Sequence, residues 1–142
     1  MGTINFGRVV ICGIIIGVVI NIFEALVNGW LLGAQWSGAL MALGLPGLGV
    51  SQIVAFNILA LVVGLVTAWV YAAIRPRFGA GHLTAVYAGL VVWILAYPLA
   101  YVTMAVMGLM PWNLMLIVSA TSLVEVVIAT LIGCYFYKEQ AV

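Results

Sequence analysis

Apolar residues run along this chain in four long blocks, and polar positions inside the blocks are few. A membrane-spanning helix needs about 20 apolar residues at 1.5 Å each to cross ~30 Å of hydrocarbon. The apolar stretches predict four such crossings, at about 6–32, 52–74, 83–107 and 111–137. Ser51 is placed to cap the second, and Arg75-Pro76 is expected to stop it, because proline disfavours helix in the residue before it. Pro98 lies inside the third span and should kink it, freeing the carbonyl of Ile94; Pro111 suits the first turn of the fourth. Between the first two spans, 36–43 predicts a short helix lying in the interface, broken by Gly44-Leu45-Pro46-Gly47-Leu48-Gly49. The first span is too long for a signal-peptide core, contains Glu24 and is followed by no small-residue cleavage pattern, so it reads as a retained helix. The expected fold is all-α: one transmembrane domain over 1–142, an up-and-down four-helix bundle.

Each span carries one polar or small stripe. Gly17, Asn21, Glu24 and Asn28 fall on one face of the first, and Asn57, Gly64, Thr67 and Tyr71 on one face of the second. Trp93, Tyr97 and Tyr101 repeat at four on the third, and Ser119, Ser122, Glu125, Ala129 and Gly133 line the fourth. Lipid offers these groups no hydrogen bonds, so the stripes should face one another. At 1.5 Å per residue most of the polar positions sit roughly 17 to 29 Å from the terminus-bearing edge, with Glu125 at about 12 Å. That places a polar cavity at the opposite end, open or nearly open there, with Glu125 at its floor and Glu24 on its wall.

Composition sharpens the class. Hydrophobic residues make up 68% and charged ones 5%, with a mean hydropathy of +1.37; soluble domains carry about 25% charged residues. A net charge of +1 and two cysteines exclude a nucleic-acid binder, a disordered chain and a disulfide scaffold. The four basic residues, Arg8, Arg75, Arg77 and Lys138, all fall on one side of the four crossings. The positive-inside rule then puts both termini and the 75–82 loop in the cytoplasm, with the chain multi-pass in the inner membrane of a cell. Trp30, Trp36 and Trp112 mark the outer interface, and Phe6, Trp69, Tyr71, Phe78, Tyr135 and Tyr137 the inner one. Arg75 and Arg77 are expected to anchor to phospholipid headgroups.

The candidate ligand- or proton-binding residues are Glu24, Glu125, Asn21, Asn28, Asn57, Tyr97, Tyr101 and Ser122. A charge at the bilayer centre costs ~2.5–3.5 kcal/mol even on lenient scales, so intramembrane glutamates mark function. Asparagines and serines often do no more than join helices, at about 0.6 kcal/mol each. With no basic residue in the spans, Glu125 is expected to keep its proton and act as proton carrier, leaving Glu24, nearer the surface, to contact a ligand. Gly13-x-x-x-Gly17 and Gly29-x-x-x-Gly33 permit close helix approach, within the chain or between protomers. Cys12 and Cys134 read as small buried apolar residues. His82 stands alone, so neither a metal nor a haem is expected, and no cofactor is implied. No nucleophile–base–orienter set or phosphate loop is present.

The segment Tyr71-Ala72-Ala73-Ile74-Arg75-Pro76-Arg77-Phe78-Gly79-Ala80-Gly81, the Asn21-x-x-Glu24 element and Val124-Glu125-Val126 resemble small bacterial four-helix membrane proteins of unknown function. The resemblance implies topology and bacterial origin and brings no activity. Small multidrug-resistance transporters share four spans and a glutamate in the first, but they are shorter, with tight loops and no second glutamate in the last span. Three functions remain open: binding or proton-coupled transport of a small ligand or ion, most economically by a homo-oligomer of two or more chains; an accessory subunit of a larger membrane complex; and, last, a membrane enzyme using the carboxyls as acid and base.

Overall fold

A computed structural model describes residues 3–139 and is all-helical: α1 (Phe6–Glu24) continuing into a π-helical segment (Ala25–Leu31), α2 (Gly33–Ala42), α3 (Val50–Phe78), α4 (His82–Ala96), α5 (Pro98–Val106) and α6 (Trp112–Cys134). Four helical stretches are long and apolar enough to cross a membrane, Phe6–Leu31, Val50–Phe78, His82–Val106 and Trp112–Cys134, matching the four expected crossings. The helix between the first two is α2, starting three residues earlier than expected.

Two boundaries depart from expectation. α3 does not stop at Arg75 but runs through Pro76 to Phe78. In the last turn a proline removes only one carbonyl's partner, and the pre-proline preference is a bias, not a ban. The helix ends instead at Gly79, whose φ of 85° few other residues adopt, with its N–H on the Arg75 carbonyl. The N-cap of α3 is Gly49 rather than Ser51, with the Gln52 side chain reaching back to the Gly49 N–H at 3.1 Å. The break at Pro98 is as expected: Tyr97, at φ −114° and ψ −75°, separates α4 from α5.

Packing rests on small residues. Gly13 and Gly17 of α1 meet Leu65 and Leu61 of α3, while Gly64 lies against the Gly13 and Gly17 backbones. The pairing rises on one helix as it falls on the other, so α1 and α3 run antiparallel. The first glycine pair is thus used inside the chain. Gly133 brings α6 onto Cys12 and Ile16 of α1, and Gly89 brings α4 onto Thr130 of α6. Ile16, Ile20, Ala68, Ala88 and Ala129 fill the core between them, and Cys12 and Cys134 are buried free thiols.

At one end Asn5, Tyr137 and Glu139 gather at the last turns of α3. The Tyr137 hydroxyl accepts from the Asn5 N–H at 3.2 Å, its ring packs edge-on to Tyr71 at 5.7 Å, and the Arg75 guanidinium lies over it at 5.3 Å. Arg75 also pairs with Glu139 at 3.3 Å. Arg75, expected at phospholipid headgroups, turns its side chain onto an aromatic face and a carboxylate, while Arg77 is exposed. Tyr71 and Tyr137 are likewise buried rather than facing an interface, whereas Phe6, Phe78 and Tyr135 at this end, and Trp30 and Trp112 at the other, are exposed.

Candidate functional site

Glu125 projects from α6 and is 1% exposed. Its Oε1 accepts a hydrogen bond from the Tyr97 hydroxyl at 3.3 Å. Tyr97 reaches it from the α4–α5 break, and the Tyr101 ring stands 6.0 Å from the Tyr97 ring in an edge-on pair. From the other side comes Glu24, the last residue of α1 before the π segment. Its Oε2 accepts from Asn28 Nδ2 at 2.6 Å, and Asn28 Oδ1 accepts from Trp36 Nε1 of α2 at 3.0 Å. Val27 and Trp36, which flank Asn28, and Tyr101 pack against the same apolar cluster, which brings the two groups together.

Beside this group, Trp93 Nε1 donates to the Ser119 carbonyl at 3.0 Å and to Ser122 Oγ at 3.1 Å, and the Ser122 hydroxyl donates to the Ser119 carbonyl at 3.0 Å. Ser122 therefore joins α4 to α6. Its hydrogen bonds are spent on helix packing, next to the carboxyls on the same face of α6.

Both irregular helices open at this cluster. The Leu32 N–H reaches the Val27 carbonyl, five residues back, at 2.8 Å, so the turn following Glu24 is wider than an α-turn. π segments of this kind concentrate at functional sites. Opposite, Pro98 withholds an N–H and lets α4 end at Tyr97. Broken helices at membrane depth are tolerated where they line protein-enclosed polar space.

Two expectations change form. Asn57 does not face inward: it is exposed, and its amide donates to the Ile53 carbonyl of its own helix at 2.7 Å. Asn21 spends its amide on the Asn57 backbone carbonyl at 3.2 Å, tying α1 to α3 away from the carboxyls. The reason is splay. The glycine contacts bind α1 to α3 lower down, and beyond the Asn21–Asn57 tie residues 50–59 are exposed throughout. The polar group is also more closed than the open cavity expected of it. Glu125 and Tyr97 are closed off, at 1% and 7% exposure, and the polar group reaches the surface through half-buried Glu24, Asn28 and Trp36. The hydrogen-bond partner of Glu24 is Asn28, one turn along its own helix.

Trp36 was legible only as an interface marker, and Trp93 only as part of a stripe. The signal for both was their N–H, which needs an acceptor once buried. Among the described residues no three His, Cys, Asp or Glu side chains converge as metal ligands do. What the cluster offers chemically is two carboxyls and two phenols in one largely dry space, able to hold and pass a proton or to accept hydrogen bonds from a small cation. Comparison with protein-family models, curated proteins and solved structures finds no match to this chain.

Proposed function

We propose that the chain is an up-and-down four-helix bundle of the bacterial inner membrane, with both termini cytoplasmic, which binds a small ligand or ion at the Glu24–Glu125 cluster and couples binding or transport to protonation. The observation that carries this reading is the convergence of two glutamates from different helices: Glu24, where α1 turns into the π segment, and buried Glu125, held by Tyr97 at the α4–α5 break. Within it Glu125 is the proton carrier, Glu24 the ligand contact, and Tyr97 the group that orients the Glu125 carboxyl. A single four-helix bundle is thin for a pathway, so the working form is a homo-oligomer of two or more chains.

The orientation rests on Arg8, Arg75, Arg77 and Lys138 against none on the other side. Cysteines placed at exposed Ser37 and Asn113 should react with an impermeant thiol reagent added outside intact cells, and one at exposed Gly79 should not. Labelling at Gly79 from outside would reverse the orientation.

Trp36 and Trp93 border the cluster, so their emission reports what binds there. In detergent, sodium, potassium, ammonium and choline are titrated at pH 6 and pH 8. At least one should change the emission with a pH-dependent affinity. Glu24→Gln should weaken it about tenfold or more, as expected for loss of a charge-assisted contact, and Glu125→Gln should remove the pH dependence while keeping the fold. A pH dependence that survives Glu125→Gln denies the proton-carrier role.

One observation favours a second reading, that of an accessory subunit: the stretch 50–59 is exposed at every residue, although Asn21 reaches the Asn57 carbonyl from α1. Co-purification of foreign subunits in mild detergent supports that reading, and a discrete homo-oligomer supports the first.

A further inference from the structure

The outer end of the cluster is covered by α2, a helix of 10 residues between two backbone breaks. It begins after Leu32, at φ −104° and ψ 5°, and is followed by Gly44 at φ 71° and a loop exposed from Leu43 through Gly49. Its inner face is Trp36, Ala39 and Leu40, set against Tyr101, Met110 and Leu114. Ala39 is the one buried residue of α2, so little side-chain area holds the helix down. Beyond it a cleft of about 320 Å³ separates Ala42 and Leu43 from Gly108–Pro111. Elements with few buried contacts and free space beside them open at low cost. The polar tie in the cover is the Trp36 Nε1–Asn28 Oδ1 bond at 3.0 Å. An amide whose oxygen is held this way turns its NH2 group toward Glu24, where Nδ2 lies 2.6 Å from Oε2.

We propose that α2 is a lid over the carboxyl cluster, latched by the Trp36–Asn28 hydrogen bond, and that Glu24, half-buried while the latch is closed, opens fully to the aqueous phase on the α2 side when it is released. Trp36 is then a positioning residue: it acts on Glu24 through Asn28. The purpose of such a lid rests on the ligand-site reading above, but its movement does not, and it is tested without any ligand.

The purified protein is treated with a water-soluble carbodiimide and glycinamide, and the modification of each glutamate is followed by peptide mass spectrometry. Glu139, at the surface, is the internal standard, and buried Glu125 the slow reference. Loss of one neutral hydrogen bond shifts an opening equilibrium about fivefold, so Trp36→Phe, which keeps a ring and lacks the N–H, should raise the Glu24 rate by about that factor. In a second arm, with Trp36 intact, Ala42→Cys and Leu109→Cys are joined across the cleft by a short bis-thiosulfonate. Cys12 and Cys134 are buried and stay out of the reaction. Bridging should slow modification of Glu24 and leave Glu139 unchanged. If Trp36→Phe matches the wild type while Trp36→Ala is fast, the tryptophan only packs and there is no latch. If bridging leaves the Glu24 rate unchanged, α2 is not the lid.

Discussion

Gly64→Ala is expected to destabilise the protein by about 1–3 kcal/mol, the range for an added methyl in a packed interior, and Gly64→Leu to abolish the folded state. A Cβ at this position points at backbone, at the Gly13 carbonyl and at Gly17 N and Cα, the last two at 2.5 and 2.9 Å. Backbone cannot rotate away as a side-chain tip does, so α1 and α3 must separate. That contact precedes everything above it, because it fixes where the two helices diverge and hence where Asn21, Glu24 and residues 50–59 stand. Gly38→Ala is the control: nothing lies within 4 Å of its added Cβ. In a helix that change should be neutral or stabilising by up to about 1 kcal/mol. Unfolding by dodecyl sulfate in mixed micelles, followed by tryptophan fluorescence, measures all three. A Gly64→Ala protein as stable as the wild type would show that the helices approach less closely than described.

The second large effect separates shape from chemistry at Glu125. Glu125→Ala empties a site that is 1% exposed and leaves the Tyr97 hydroxyl without its acceptor. The cavity and the orphaned hydroxyl together should cost about 2–4 kcal/mol. Glu125→Gln keeps the volume and an acceptor oxygen, and should cost less than about 1 kcal/mol. Tyr97→Phe in each background closes a double-mutant cycle: in the alanine background removing the hydroxyl should recover stability, and in the glutamate background it should lose some. If Glu125→Gln is as damaging as Glu125→Ala, the carboxyl is a structural element in its own right, and the glutamine variant no longer reports on proton coupling.

Much of this architecture was legible before any coordinates. Four apolar blocks of spanning length specify four helices, because backbone in hydrocarbon must bond within itself. The break at Pro98 follows from a missing N–H. The spacing of Glu24 and Asn28 places them one helical turn apart, and they do bond. Glu125 was marked by the cost of carrying a carboxyl in an apolar helix, and it is the most buried acidic side chain described.

Other features depend on distances between segments far apart in sequence, and no local pattern encodes them. Arg75 looks like a lipid anchor until Tyr137 and Glu139 arrive from the far end of the chain. Asn57 shares a stripe with Gly64, yet the glycine is buried in the α1 contact while the asparagine, two turns away, is exposed where the helices diverge. Trp36 is an interfacial aromatic until the turn at Leu32 folds α2 back and brings its N–H to Asn28. The chain by itself determined what must be buried and in which helices, since that follows from transfer of each side chain and peptide group out of water. The tertiary structure alone decided which polar groups meet, since that follows from how closely the glycines let the backbones approach and where the π segment and Pro98 turn them.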